Sequence, residues 1–352
     1  MNNNQTEYIR INKDQFSMDT DERLRKWEET RRYFPDYCIN RYQWFNYPKW
    51  QHVHDFPLHV DFEVSFRCNL NCPMCFRPHI ECKDWNDMDF GLYKNGIDEC
   101  AKNNLYSIRL NWRGEPTVNP NLIEMVAYAK KKGIKEVSFL TNGLLVNKKY
   151  AKELIKTGLD YITYSVDSMH EKYEELRYPI KFDQITENIR NMHELRDTIG
   201  NGFPRIKIQA IWSYMNNISE EFYAHFKDIT DLINFNTYDD YSLTFMPQNP
   251  TLICQYPFQR ITITWSGEIP MCISDWSLTT NIGNLRNDTI KEVWHGKKMS
   301  ELRELHKSGR RMGLKCCQKC HRLAVPQIGN QPEGKGEHSY KKGHSGYEFQ
   351  AD

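Results

Sequence analysis

From His59 onward, short apolar and β-branched runs alternate with amphipathic stretches, and this rhythm restricts the fold more than any other feature of the sequence. The strand candidates are 59–65 (HVDFEVS), 107–112 (SIRLNW), 136–140 (EVSFL), 161–166 (YITYSV), 205–211 (RIKIQAI) and 241–246 (YSLTFM). Between them, Phe90, Tyr93, Ile97 and Cys100 share one face at helical spacing, as do Ile185, Ile189 and Met192. Asn119-Pro120 supplies an N-cap and a first-turn proline for another helix, which Gly133 closes. Six strands separated by helices call for parallel pairing through right-handed crossovers. Ligands in such α/β folds bind at the carboxyl ends of the strands.

The flanks read differently. Residues 1–57 form an aromatic N-terminal extension. Within it, 20–32 is charged and helical in pattern, and 33–57 is dense in Tyr, Trp, Phe and Pro, an irregular segment packed on a larger domain. Residues 251–325 hold five of the eleven cysteines, a hairpin (260–265 and 268–272 around Ser266-Gly267) and a helix near 297–307. They read as a second, metal-bearing unit. Residues 326–352, rich in Gly, Lys, Glu, His and Ser, read as a flexible tail.

Charge excludes several classes. Lys+Arg is 47 against 46 Asp+Glu, a net charge of +1. That balance argues against a dedicated nucleic-acid binder and against a polybasic membrane anchor. No run approaches the roughly 18 apolar residues of a membrane span, and the first residues lack the charged-then-apolar pattern of a signal peptide. A cytoplasmic protein is the expectation. In reducing surroundings an odd count of eleven cysteines points to metal or redox chemistry rather than a disulfide framework.

Cys68, Cys72 and Cys75 form Cys-x3-Cys-x2-Cys directly after the first strand. Three thiolates on one loop can hold three corners of a cubane iron–sulfur cluster, leaving one iron open. Zinc wants a fourth ligand, for which His79 and Cys82 are the nearest candidates. This pattern resembles the radical S-adenosylmethionine (radical SAM) superfamily, over roughly residues 59–323. Further motifs carry the resemblance: Arg113-Gly114-Glu115-Pro116 after the second strand, with Arg113 where the family has glycine; Thr141-Asn142-Gly143 after the third; and Ser165-Val166-Asp167-Ser168 after the fourth, followed by Tyr173 and Arg177. The resemblance implies a partial (β/α)6 TIM-like barrel over 58–250, with a small C-terminal auxiliary-cluster domain over 251–325. It implies that Gly114, Glu115, Asn142, Ser165, Asp167 and Arg177 surround S-adenosylmethionine, with Met74 and Phe76 near its adenine. Tyr42, Trp44, Tyr47 and Trp50 of the extension would then cap the barrel mouth.

Cys254, Cys272, Cys317 and Cys320 make the second set, which resembles the SPASM segment of radical SAM enzymes or its shortened Twitch form. Trp265-Ser266-Gly267 and the run from Ile282 to Leu285 leading to Trp294 suit that segment. The resemblance implies a second 4Fe–4S cluster on these four thiols, with Cys316 as an alternative to Cys317; a structural zinc site is the competing reading. The layout is similar to Twitch-type aminocyclitol dehydrogenases. It implies that a 5′-deoxyadenosyl radical takes hydrogen from a small polar substrate such as a sugar or cyclitol, the auxiliary cluster accepting the second electron. An external donor such as flavodoxin or ferredoxin would supply electrons. A radical epimerase using Cys38, Cys82 or Cys316 as hydrogen donor, a peptide-modifying enzyme, and a zinc-stabilised binding protein are the alternatives. Asn111, Arg113, Gln209, Trp212, Met246, Gln248 and Tyr256 are candidate substrate-pocket residues.

Overall fold

A computed structural model describes residues 9–12, 15–80, 84–215, 217–236, 253–318 and 320. Its centre is a nine-stranded sheet in the order β1-β2-β8-β7-β6-β5-β4-β3-β9. The strands are β1 (Ile9–Asn12), β2 (Gln15–Ser17), β3 (His59–Phe62), β4 (Ser107–Arg109), β5 (Glu136–Thr141), β6 (Tyr161–Ser165), β7 (Arg205–Ile211), β8 (Leu232–Asn236) and β9 (Arg260–Ile263). Those from β3 to β9 run parallel, and β1 and β2 are antiparallel at the β8 edge. The result is the expected α/β architecture, an open partial barrel.

Helices pack around the sheet. They are α1 (Asp21–Glu29), α2 (Phe34–Lys49), α3 (Phe90–Lys102), α4 (Leu122–Lys131), α5 (Lys148–Lys156), α6 (His170–Leu176), α7 (Phe182–Ile199) and α8 (Ser219–Phe226). Of these, α3 to α8 lie on its outer face and α1 and α2 toward the amino ends of its strands. Tyr93, Ile97 and Cys100 of α3 are buried, and so are Ile185, Ile189 and Met192 of α7. They pack against one face of the sheet, represented by Val60, Ile108, Val137, Ile162, Ile208 and Phe235. Because strand side chains alternate, the residues between these point to the concave side.

Three expectations need correction. The segment 33–57 is not irregular throughout, since α2 occupies most of it. Its prolines do not break the helix because Pro35 sits in the first turn, where no backbone N–H is needed, and Pro48 in the last. Nor does the extension cap the barrel mouth. Trp44 packs on His59 and Arg260, and Arg31 pairs with Glu136 beside Tyr161, so these residues meet the first residues of β3, β9, β5 and β6. That is the opposite end from the strand carboxyl termini. Third, the sixth parallel strand of the series is Leu232–Asn236; the candidate at 241–246 lies outside the described residues, as do Cys82, Met246, Gln248 and the tail.

The second unit is joined to the first. β9 pairs with β3 in parallel, so the hairpin expected at 260–272 exists only as a tight turn, with Thr264 N donating to Glu268 O (2.9 Å). β10 (Glu268–Pro270) pairs instead with β11 (Asn281–Asn284). Then follow α9 (Ile290–His295), α10 (Lys297–Lys307), as expected, and α11 (Lys315–Gln318). No helix among the described residues is long and apolar enough to cross a membrane.

Candidate active site

The first cysteine loop leaves the carboxyl end of β3. Cys75 N donates to Cys72 O (3.1 Å), and Glu115 N, on the loop after β4, donates to Arg67 O (2.8 Å). The three thiols face one another closely enough to interact, and burial pushes each one up. Such thiols stay protonated until a metal displaces the proton. Among the described residues no His, Cys, Asp or Glu group is gathered tightly enough to hold a single metal ion. Three thiols spread on one loop suit the corners of a cluster.

The other strand ends converge on this loop. Glu115 interacts with Cys68, and Asp167 and Arg177 with Cys72. Asn142 Nδ2 donates to Asn69 Oδ1 (2.7 Å) and lies 4.0 Å from Cys68 Sγ. Ser165 ends β6, level with Gln209 of β7. Met74 is buried within the loop, and Phe76 stacks on Trp276 with ring centroids 4.9 Å apart.

Two of these residues are also held by hydrogen bonds of their own. The buried Glu115 carboxylate accepts from Thr117 N (3.1 Å), Thr117 Oγ1 (2.6 Å), Thr141 Oγ1 (2.7 Å) and Asn142 N (2.7 Å). A carboxylate offers about four acceptor positions, so Glu115 ties the loops after β4 and β5 together. Arg177 donates through Nε to Asp167 Oδ2 (2.8 Å), with Nη2 on the same oxygen, while Asp167 Oδ1 accepts Ile211 N (2.9 Å). The Arg177 guanidinium therefore reaches the cysteine loop already paired.

Arg113 and Glu63 were not recognised together from sequence. Arg113 donates from Nε and Nη2 to the two Glu63 oxygens (2.7 Å each) and from Nη1 to Trp276 O (2.9 Å). Trp265 N donates to Glu63 (3.2 Å), and Trp112 Nε1 to Ile273 O (2.8 Å). This buried clamp fixes the loop that carries Cys272 against β3 and β4. It takes Arg113 out of the candidate substrate pocket.

The second thiol set lies beyond that clamp. Cys254 interacts with Cys272 and Cys320, and Cys272 with Cys320 and Cys316. Burial raises Cys254 and Cys272. Cys317, beside Cys316, has its Sγ 3.8 Å from His306 Nε2. Both members of the pair thus adjoin the site.

The concave face of the sheet is polar. Asp61 of β3 binds Arg109 of β4 (2.8 Å), Arg260 of β9 (3.2 Å) and His59 (3.3 Å). Thr163, Lys207, Gln209 and Asn234 continue this face across β6, β7 and β8. The signal was in the sequence: in RIKIQAI, polar residues alternate with Ile and Ala. His59 is held neutral, chiefly by burial, with its pKa lowered to about 4 despite Asp61. An unfolded histidine titrates near 6.5, so this group withdraws stability as pH falls from about 6.5 toward 4, by up to about 1.4 kcal/mol per pH unit. A His59→Gln variant should show a flatter stability profile over that range in equilibrium denaturation.

Residues 62–216 match the model of the radical SAM superfamily, and residues 254–321 match that of SPASM, an iron–sulfur cluster-binding domain. The chain is 32% identical over 151 residues to the tungsten-containing aldehyde ferredoxin oxidoreductase cofactor-modifying protein of Pyrococcus furiosus, covering 42% of each chain. It is 27% identical to the GTP 3′,8-cyclase of Limosilactobacillus fermentum over 58% of this chain and 57% of that one. The match thus spans less than two thirds of either relative. The S-adenosyl-L-methionine-dependent 2-deoxy-scyllo-inosamine dehydrogenase of Niallia circulans is 20% identical over 76% of this chain and 93% of its own. Among solved structures, BtrN in complex with AdoMet and 2-DOIA shares the fold with a TM-score of 0.55 at 18% identity, over 78% of this chain and 96% of that one. Native anSMEcpe with bound AdoMet does so at 0.56 and 16% identity, over 71% and 84%.

Proposed function

From the premise that this chain is a radical SAM protein with a SPASM segment, we propose that it oxidises a small, polar, hydroxyl-bearing molecule. The observation that carries this reading is a polar concave sheet face leading to strand ends that bear one half-buried set of thiols, with the loop of a second, more deeply buried set held against those strand ends by the Glu63–Arg113 clamp. When bound, an open-cornered 4Fe–4S cluster with S-adenosylmethionine supplies a 5′-deoxyadenosyl radical able to take hydrogen from carbon. Cys68, Cys72 and Cys75 would hold that cluster. Gly114 and Asn142 line the approach to it, Ser165 ends the neighbouring strand, and Met74 and Phe76 flank the third thiol. Glu115 and the Asp167–Arg177 pair fix the surrounding loops.

A two-electron oxidation begun by one-electron abstraction needs a nearby acceptor. Cys254, Cys272, Cys320 and Cys317 would hold it, with Cys316 as the alternative fourth ligand. The Glu63–Arg113 clamp sets that unit against the strand ends. An external one-electron donor, flavodoxin or ferredoxin in type, would recharge the first site. An epimerase needs a hydrogen donor facing the substrate. Of the three candidate donors, Cys38 instead interacts with Glu28 in the extension, Cys316 adjoins the second thiol set, and Cys82 lies outside the described residues.

Anaerobic reconstitution followed by iron and sulfide counting tests the two-cluster arrangement. About eight irons are expected in the wild type, and about four in Cys68→Ala and in Cys254→Ala. The Cys68→Ala protein should release no 5′-deoxyadenosine, whereas Cys254→Ala should release it without oxidised product. A zinc protein without sulfide would end this reading. Product mass then decides the outcome: loss of two hydrogens per S-adenosylmethionine consumed supports oxidation, and an unchanged mass defeats it.

A further inference from the structure

The concave face carries more positive charge than its own partners neutralise. Its described carboxylates, Asp61, Glu63 and Glu136 at the start of β5, are all committed, Glu136 to Arg31. Glu63 is matched by Arg113, and Asp61 is shared by Arg109 and Arg260. The side chain of Lys207, in the middle of β7, has no hydrogen bond or ion pair among the described residues. Its electrostatic neighbours are cations, Arg31 and Arg109. Burial and these like charges lower its pKa to about 8. His59 adds no charge at neutral pH, as its lowered pKa shows.

A second observation points to a ligand at the same place. Asn234 of β8 is fully buried, yet neither its Nδ2 nor its Oδ1 has a hydrogen-bond partner. It is level with Gln209 and so lies one same-face position beyond Lys207 toward the strand carboxyl ends. Gln209 is in turn level with Ser165, two residues before Asp167, which interacts with Cys72 of the first thiol loop. Buried amide groups left unpaired are costly unless something satisfies them. An unpaired ammonium beside other cations is also unfavourable. One occupant resolves both: an oxyanion to meet Lys207, with hydroxyl groups to meet the Asn234 amide.

We propose that the barrel lumen binds an anionic, hydroxyl-bearing small molecule, its carboxylate or phosphate paired with Lys207 and its hydroxyls reaching Asn234 and Gln209. This deepens the proposed oxidation and rests on it only for the claim that the occupant is the substrate. It separates this chain from an enzyme for an amine such as an inosamine. A cationic amine would meet Lys207 and Arg109 with like charge, and Asp61, Glu63 and Glu136 are already engaged.

Calorimetric titration of the anaerobically reconstituted protein provides the test. Four probes share one ring: glucose, glucosamine, glucuronate and glucose 6-phosphate. We expect at least one of the two anions to bind about tenfold or more tightly than glucose, as a charge-assisted bond implies, and glucosamine to bind no better than glucose. The stronger of the two anions distinguishes carboxylate from phosphate. Added sodium chloride should weaken the anion and leave glucose unchanged. Lys207→Met should erase the anion preference, and Lys207→Arg should retain it. Measurable binding by neither anion, tighter binding of glucosamine, or an undiminished preference in Lys207→Met would overturn the proposal. The wild-type salt response decides the matter if the methionine variant does not fold. Substrate-free release of 5′-deoxyadenosine by the reduced wild type is scored separately. Its absence would sink the radical reading alone, and missing anion binding would sink this inference alone.

Discussion

Arg113→Ala should lower the unfolding free energy by about 3–5 kcal/mol, the range for removing one partner of a buried ion pair. The side chains are 2% and 0% exposed, so neither charge has water to fall back on. Glu63 is already pushed up by burial, and the Arg113 bonds are the main force opposing that shift. Without Arg113 its folded-state pKa rises further above the unfolded value. The folded variant then holds a proton the unfolded chain releases, so the deficit should grow as pH rises through that pKa and shrink below it. The Trp276 bond is lost as well, which loosens the loop bearing Cys272. A double replacement, Glu63→Leu with Arg113→Met, should recover much of the stability because no buried charge is left. Urea denaturation of the three anaerobic proteins at two pH values measures this. A single-variant loss under about 1 kcal/mol, or a double variant no better than the single, would show that the clamp contributes little.

Whether a feature was legible in the sequence depended on how local its cause is. The strands at 59, 107, 136, 161 and 205 were readable because each is an apolar run next to an amphipathic helix, and parallel pairing follows from that alternation. The cysteine loop declared itself by spacing. Leu232–Asn236 was missed because its run is short and its partners lie at β7 and at a hairpin far away in the chain. The aromatic extension misled for a related reason. Tyr and Trp density says that a segment is packed, but which end of the barrel it covers is decided by Trp44 meeting Arg260 and Arg31 meeting Glu136, pairs separated by long stretches of chain. The Glu63–Arg113 clamp was hidden likewise. Arg113 stood out as a non-glycine beside a Gly-Glu-Pro turn and as a candidate pocket residue, and nothing local marks Glu63 as its partner. The polar concave face was legible in RIKIQAI and HVDFEVS, since a period of two sorts each strand into an apolar and a charged side.

Gly114→Ala should abolish assembly of the first thiol site while sparing the second. A Cβ at this position would stand 2.3 Å from Ser65 O, 2.6 Å from Arg67 O and 2.7 Å from Phe66 C. Every one of those atoms is backbone, so no side chain can swing aside. The segment they belong to leads straight into Cys68 and is held by the Glu115 N to Arg67 O bond. Inserting one methyl therefore pushes apart the two loops that define the site, at about 1–3 kcal/mol of overpacking. The displacement falls on the thiols themselves, because nothing between Arg67 and Cys68 can absorb it. Gly133 provides the control. It has a positive φ of 92° but open space around it, so Gly133→Ala should cost about 1 kcal/mol through backbone strain and leave the iron content intact. Gly114→Ala should fall from about eight irons to about four and release no 5′-deoxyadenosine. Full iron content and wild-type release would mean that the cysteine loop tolerates being moved. The close approach of the two loops would then be a matter of packing alone.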